Sequence, residues 1–202
     1  MRIPSSSRLI AAAITALCML TAAQAQAPQT TRLNGVIERV NGSNLEVKTA
    51  AGERQVMLTP DAAVFAMAKA SLADIKPGVF VGVGATPQPD GSQQAIRVVI
   101  FPESMRGLGE GHRPWDRPGT TMTNATVDTA VTNVDGQTLN VKYKGGEKKI
   151  IVRPDAAILT FVNSDKSELK PGANVSLGGT VDAKGAIETN RVTVARGGVS
   201  LN

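Results

Sequence analysis

Most side chains with distinctive chemistry lie in one short stretch of the sequence, residues 101–122. This stretch holds His112 and Trp115, the single histidine and single tryptophan of the chain, together with Met105 and Met122. Thioether and imidazole groups are soft ligands that favour Cu(I) over hard cations. The set Met105, His112 and Met122 therefore allows a copper or silver site, to which Trp115 adds a π face.

A second interpretation makes the same stretch an interaction segment. A connector of about 20 residues without periodicity is longer than most, and such segments are usually functional or flexible. The candidate contact residues are Trp115, His112, Arg113 and Phe101. A simpler alternative is that Trp115 and Leu108 pack between the flanking folded units while His112 is solvated. We predict an interaction segment, keep the metal site as the alternative, and expect no cofactor.

The composition excludes most enzyme mechanisms. The chain has 202 residues, of which 3% are aromatic and 19% charged, with one Cys and one His. A single Cys forms neither an internal disulfide nor a Cys/His zinc site. A hydrolase would need a nucleophile paired with a base, and no G-x-S-x-G motif occurs. We therefore predict a protein that is not an enzyme.

The first 25 residues predict a secretory signal peptide. Arg2 and Arg8 precede an apolar run, Leu9–Leu20, and Ala23-Gln24-Ala25 supplies a small-x-small cleavage pattern. The run of 12 residues is shorter than the ~20 that span a bilayer. We predict cleavage near Ala25, a periplasmic or secreted product and no membrane span.

The charge of the mature chain argues against nucleic acid as a partner. Removing Arg2 and Arg8 from the 22 Lys and Arg leaves 20 against 17 acidic residues, a net charge near +3. Nucleic-acid-binding domains usually carry a denser basic patch. Phe80 and Tyr143 lack aromatic counterparts in the internal repeat described next, so a stacking platform is also missing.

An internal repeat organises the rest of the chain. Residues 33–100 align with 127–194 at a constant offset of 94, without a gap, and 20 of the 68 pairs are identical. Pro60-Asp61-Ala62-Ala63 recurs as Pro154-Asp155-Ala156-Ala157, and Lys76-Pro77-Gly78 recurs as Lys170-Pro171-Gly172. Several other pairs, such as Ile37/Val131 and Val56/Ile150, exchange one branched apolar residue for another. Such volume-conserving changes predict core positions in both copies.

Apolar residues recur at every second position within each copy, as in Leu45-Glu46-Val47 and Leu139-Asn140-Val141. This alternation predicts short, half-buried antiparallel strands. Asn-Gly and Asp-Gly pairs between them predict hairpin turns, and Lys-Pro-Gly predicts a type II turn. Asp61 and Asp155 are predicted to cap a helical turn. Arg97 and Arg191 recur on the last strand, where their stems cover apolar surface or form a shared anion site.

The opening of the first copy, Gly35-Val36-Ile37-Glu38-Arg39-Val40-Asn41-Gly42, and its later Leu72–Val83 segment resemble a bacterial family of exported small β-barrels, the "domain of unknown function 5666". In the gapless alignment Thr129 replaces the opening Gly35. The resemblance implies an OB-like fold and export, and it carries no catalytic residues.

The predicted fold class is all-β. It comprises two tandem small antiparallel OB-like barrels, each with a short helical turn, joined by an irregular connector. The predicted boundaries are 1–25 for the signal peptide, 26–100 for the first barrel, 101–122 for the connector and 123–202 for the second barrel. The predicted function is that of a binding or interaction module of the bacterial cell envelope, with an envelope protein or polymer as partner. The alternative is a soft-metal carrier.

Overall fold

A computed structural model describes residues 30–201, and the predicted signal peptide lies outside this range. The described chain is all-β, as predicted, with helical structure confined to three 3₁₀ turns, at Leu72–Asp74, Glu103–Met105 and Lys166–Glu168. Strands alternate buried and exposed residues because successive side chains point to opposite faces of a sheet. The twelve strands are β1 (Thr30–Asn41), β2 (Asn44–Thr49), β3 (Gly52–Lys69), β4 (Phe80–Pro87), β5 (Gln93–Ile100), β6 (Gly111–Pro114), β7 (Thr121–Asn133), β8 (Gly136–Tyr143), β9 (Gly146–Val152), β10 (Ala157–Asn163), β11 (Asn174–Val181) and β12 (Ile187–Ala195).

Five strands form a closed barrel, the first barrel, in the order β1-β2-β3-β12-β11 and back to β1. The closing contact is the parallel pairing of β12 with β3, which runs from Ile187 opposite Val56 to Ala195 opposite Met67. One apolar core fills this barrel and draws on both sequence repeats. Its buried members are Leu33, Ile37, Leu45, Val47, Val56, Leu58, Ala62, Val64, Leu169, Val175, Leu177, Ile187, Val192 and Val194.

Five of the remaining repeat strands form a second five-stranded unit, the second unit, in the order β5-β4-β7-β8-β9. The sixth, β10, pairs with β3 and with β5. β9 returns to β5 through two parallel residue pairs, Gln93 with Ile150 and Gln94 with Ile151. Its core also combines side chains from both repeats. The buried members are Ile75, Val81, Val83, Ala85, Ala95, Val98, Ala125, Val127, Leu139, Val141, Ile150 and Val152.

The strand pairings do not follow the predicted domain boundaries at 26–100 and 123–202. Each five-stranded unit takes three strands from one repeat and two from the other, so the repeats exchange their β4–β5 and β11–β12 hairpins. The physical reason is that both hairpins carry equivalent apolar faces, such as Val83 and Val98 in one and Leu177 and Val192 in the other. The sequence pattern therefore does not distinguish which hairpin completes which ring.

The exchange is centred on an antiparallel pairing between β3 and β10. Met67 lies opposite Phe161, Phe65 opposite Asn163 and Lys69 opposite Leu159. Met67 and Phe161 occupy equivalent positions in the two repeats, 94 residues apart. The two halves are therefore related by a pseudo-two-fold axis through this pair.

The first strand of the second repeat departs from the gapless alignment by four residues. Ile37 lies opposite Val47 in β1–β2, whereas Val127 lies opposite Val141 in β7–β8, so these opening strands correspond at an offset of 90. The ion pairs Lys48–Glu38 and Lys142–Asp128 follow the same correspondence. The β7–β8 hairpin is longer than the β1–β2 hairpin by two residue pairs, Thr132 with Gln137 and Asn133 with Gly136. These four extra residues account for the difference between the offsets of 90 and 94.

This shift corrects two predicted correspondences. The predicted partner of Ile37, Val131, is 59% exposed near the tip of the extended hairpin, while Val127 occupies the core. Ala125, not Thr129, takes the place of Gly35. A gapless alignment conceals such a shift because the strand period is two, so an offset of four keeps every residue on the same face.

The turn predictions have mixed outcomes. The type II turns are confirmed: Val79 N–H donates to the Lys76 carbonyl at 3.1 Å, and Gly78 has φ +87°. The helical turn predicted at Asp61 is wrong, because β3 runs through this residue as a continuous strand. Asp155 lies in the four-residue break between β9 and β10, residues 153–156. Helical capping is instead performed by Asp165, which accepts from Ser167 N–H.

Candidate functional site: a cleft between the two units

A cleft of about 610 Å³ lies between the first barrel and the second unit. Its lining reflects the pseudo-two-fold axis, because equivalent residues of the two halves face each other across it. The equivalent pairs are Arg97 and Arg191, Gly84 and Gly178, Gly82 and Ser176, Asn34 and Asn124, and Met67 and Phe161. The connector covers one half of the cleft, which makes the two halves unequal.

Two glycines on the outer face of β4 position the connector. The Phe101 ring lies against Gly82, where an added Cβ would be 2.8 Å from the ring, and the Trp115 ring lies against Gly84, where the corresponding distance is 2.4 Å. Any side chain at Gly84 would displace the tryptophan or shift β4. These contacts place Trp115 and Phe101 on the outer face of β4 in the second unit, where both line the cleft.

All four phenylalanines of the chain meet near the pseudo-two-fold axis. Phe101 contacts Phe80 at a ring-centroid distance of 5.5 Å and Phe161 at 5.3 Å, and Phe161 contacts Phe65 at 6.3 Å. Tilted and edge-on pairs at these distances are favourable aromatic arrangements. The cluster gives the base of the cleft a rigid apolar surface.

Positive charge dominates the lining of the cleft. Four of the described lining residues are arginines (Arg32, Arg97, Arg113 and Arg191), against a single carboxylate, Asp116. Asp116 contacts Arg32 across the cleft at 3.5 Å, and both side chains are largely exposed. An exposed ion pair of this kind contributes little free energy. A ligand carboxylate or phosphate can therefore replace Asp116 at low cost.

The electrostatic environment of Arg97 reflects this excess of positive charge in the cleft. Burial lowers the pKa of its guanidinium, and repulsion from Arg117 and Arg32 lowers it further. Arg117 also lies over the Trp115 ring at 5.6 Å, in a cation–π contact. An anion placed among these three arginines would relieve their mutual repulsion.

The predicted contact residues do not all face the cleft. β6 pairs with β7 so that Arg113 lies opposite Met122 and His112 opposite Thr123. Alternation along a strand turns Arg113 and Met122 toward the cleft and His112 away from it. Arg113 donates to the Gly109 carbonyl at 2.8 Å. Of the four interaction candidates, Trp115, Arg113 and Phe101 line the cleft, and His112 does not.

His112 instead closes one end of the second unit. Its Nδ1 is hydrogen-bonded to Thr123 Oγ1 at 2.8 Å, and its ring stacks on Tyr143 at a centroid distance of 6.5 Å. Burial, with a smaller contribution from Lys148, lowers the pKa of His112. The neutral imidazole is therefore the form that the folded chain favours.

The alternative metal ligands are not brought together. Met105 is buried and lines the cleft with Met122, while His112 lies on the opposite face of β6. Within residues 30–201, no group of three or more His, Cys, Asp or Glu side chains is arranged to hold a metal ion.

Sequence reasoning missed Arg32 and the Gly84–Gly178 pair as parts of the site. The usable signal was that Gly84 and Gly178 align as identical residues within predicted strands of the repeat. The structure shows that neither glycine has a positive φ. A glycine that needs no special backbone conformation within a strand often marks a close approach by another group.

Comparison with known proteins does not extend this description. No protein-family model, curated protein or solved structure matches the chain. Among residues 30–201, no helix is long and apolar enough to cross a membrane.

The lowered pKa of His112 predicts a pH-dependent stability. The unfolded chain binds a proton at a higher pH than the folded chain, so the free energy of unfolding falls as the pH drops below the ordinary histidine value of 6.5. The loss is complete once the pH is below the lowered pKa of the folded state. Between neutral pH and about pH 5, we expect the melting temperature of His112→Gln to fall less than that of the parent chain.

Thermal unfolding followed by circular dichroism at a series of pH values measures this effect. Carboxylates titrate in both proteins, so the difference between the two curves isolates the histidine. Parallel curves for parent and variant would show that His112 does not titrate differently on folding.

Proposed function

We propose that this chain is an exported binding module of the bacterial cell envelope, without enzymatic activity, which holds an anionic envelope protein or polymer in the cleft between its two units. The observation that carries the proposal is the lining of the cleft, where four arginines and one aspartate surround an aromatic surface. Arginine binds carboxylates and phosphates through paired hydrogen bonds. Arginine and tryptophan are also the residue types that contribute most at protein interfaces.

The chemistry of the cleft favours binding over catalysis. Its lining is mainly arginine, asparagine, methionine, aromatic and small residues, its one carboxylate, Asp116, is exposed and paired with Arg32, and His112 faces the opposite side of β6. Arginine remains protonated in proteins and is a poor general base. The soft-metal alternative receives less support, because Met105 and Met122 share the cleft without His112.

We also infer that both five-stranded units are OB-like barrels, as the resemblance to the exported family implies. The support is the shared plan of the two rings: a meander of three strands, a 3₁₀ turn, and a hairpin whose last strand runs parallel to the third. OB-like barrels bind extended polymers such as oligosaccharides and oligonucleotides. The predicted signal peptide, ending near Ala25, supports the proposal that the mature chain acts in the periplasm or outside the cell.

Charge reversal at the axis tests the proposal. The double variant Arg97→Glu, Arg191→Glu removes the two symmetry-related cations, while Lys144→Glu, Lys170→Glu makes the same charge change at exposed positions outside the cleft. We expect the immobilised mature chain to capture an anionic component from envelope extract, and the cleft variant to retain about tenfold less, roughly 1.4 kcal/mol. Bound material is quantified by mass spectrometry and carbohydrate analysis, at low and high salt.

The control variant should capture as much as the parent chain. Equal capture by the parent chain and the cleft variant would show that the cleft is not the binding site. Capture that is insensitive to salt would contradict an anionic partner, since exposed charge interactions are screened.

A further inference from the structure

The backbone edges of the two equivalent opening strands are covered differently. In the second unit, β6 pairs with residues 121–124 of β7, on the edge opposite β4. In the first barrel, the equivalent part of β1, residues 31–34, pairs with β11 on one edge, and within residues 30–201 no strand pairs with the other edge. An uncovered edge is a template for the addition of another strand.

A groove of about 800 Å³ lies along this open edge. One side is residues 31–36 of β1, a second is residues 48–51 and Arg54 of the β2–β3 hairpin, and residues 198–201, which follow β12, also line it. The equivalent region of the second unit is where β6 lies, with His112 stacked on Tyr143. Thr49 stands at the place of Tyr143 in the first barrel. The groove therefore has the position that a strand like β6 would occupy.

The first barrel also has an open counterpart of the Trp115 seat. In the second unit Met122 pairs with Gly84, and the Trp115 ring covers that glycine. In the first barrel Arg32 pairs with Gly178 in the equivalent place. Gly178 is exposed, and a Cβ added there would meet only the Thr31 carbonyl oxygen, at 3.8 Å.

The charge of the groove selects the added strand. Arg32, Lys48 and Arg54 line it, and no carboxylate is among its described lining residues. The carboxylates of Asp116 and Glu38, which lie 3.5 Å from Arg32 and Lys48, are outside this lining, and ion pairs with such exposed cations contribute little free energy. A strand that pairs as β6 does would place its equivalent of Arg113 opposite Arg32. Like charges directly opposite each other on paired strands are destabilising. The connector of a second copy is therefore a poor occupant, and a strand with an acidic residue at that place is a good one.

We infer that the open edge of β1 binds an extended acidic peptide segment of a partner protein by strand addition, with an aromatic side chain of that segment seated on Gly178. Main-chain hydrogen bonds to a sheet edge supply affinity in such complexes, and alternate side chains supply specificity. The inference rests on the proposed binding function and names the class of partner that this edge accepts.

Fluorophore-labelled synthetic peptides test the inference. The first has the connector sequence 110–117 with Glu in place of Arg113 and Arg117. The second adds Ala in place of Trp115, and the third is the unaltered connector sequence. We expect the first peptide to bind the mature chain, and the second and third to bind about tenfold more weakly in fluorescence anisotropy titrations.

Protein variants locate the bound peptide. Gly178→Leu places a side chain on the seat, where an added Cβ meets no atom closer than 3.8 Å, and Arg32→Glu reverses the charge opposite the acidic residue. Each should weaken binding of the first peptide by roughly tenfold. Lys170→Glu, outside the groove, should leave it unchanged. Hydrogen exchange of the amides of residues 31–35 should slow when the first peptide is added, because strand addition places backbone N–H groups of this edge in hydrogen bonds.

Three results would overturn the inference. These are unchanged affinity in Gly178→Leu, no exchange protection in residues 31–35, or equal binding of the unaltered connector peptide, which would indicate association between copies. Failure here is distinguishable from failure of the proposed function, because capture through Arg97 and Arg191 is measured separately. Circular dichroism confirms that each variant is folded.

Discussion

Neither half of the chain is expected to fold alone as a monomer when residues 26–107 and 108–202 are produced as separate polypeptides. The first barrel takes six buried core residues from the second half, among them Val175, Leu177 and Val192. At ~1.5–3 kcal/mol for each buried side chain, their loss removes roughly 10–20 kcal/mol. This loss is as large as the whole free energy of unfolding of a typical domain, ~5–15 kcal/mol. Mixing the halves should restore a folded one-to-one complex.

Size-exclusion chromatography with light scattering, combined with circular dichroism melts, measures the assembly of the halves. The control is the full chain with a protease site after Gly107, cleaved once folded, which should stay associated and melt like the intact protein. Gly107 is an exposed connector residue, so the cut itself disturbs little. A cooperative melt from a monomeric half would mean that each repeat closes its own barrel, contrary to the exchanged pairing of β3 with β12.

The second large effect is expected at the seat of the tryptophan. Gly84→Val places a Cβ about 2.4 Å from the Trp115 ring, closer than any tolerated contact. Either the ring leaves its seat or β4 shifts, and overpacking of this kind typically costs about 1–3 kcal/mol. We expect a lower melting temperature and a red-shifted tryptophan emission, because the displaced indole becomes more exposed to water.

Gly178→Val is the matched control, since it makes the same change at the pseudo-symmetric position, where the nearest atom is 3.8 Å away. Its melting temperature and emission should match those of the parent chain. Equal destabilisation by both variants would show that the loss does not come from the Trp115 contact. An unchanged emission spectrum in Gly84→Val would contradict the seat itself.

The local structure of the strands was predictable because it depends on short-range patterns. Leu45 and Val47, and equally Leu139 and Val141, alternate with polar residues and are fully buried in the structure. The Lys-Pro-Gly turns follow from the fixed φ of proline and the positive φ of glycine. The helical turn at Asp61 was mispredicted because Pro-Asp also fits a strand, and the pairing of β3 with β12 on either side of this point holds the chain extended.

Parts of the candidate site were predictable in the same way. Trp115, Phe101 and Arg113 stood out as unusual residues in a connector, and all three line the cleft. Arg32 did not stand out, because its role comes from lying opposite Gly178 on a neighbouring strand. His112 was equally conspicuous, but the register of β6 on β7 turns it away.

By itself, the amino-acid sequence determined the class of element, the faces that are buried and the existence of two related halves, because each of these depends on spacing within a few residues or on direct similarity. Only the tertiary structure decided which hairpin completes which ring, the register of β7, and the meeting of Arg97 with Arg191 across a cleft. The physical reason is degeneracy: equivalent apolar faces and a strand period of two leave several pairings equally compatible with the pattern. The packing of the whole chain, including Trp115 on Gly84, selects among them.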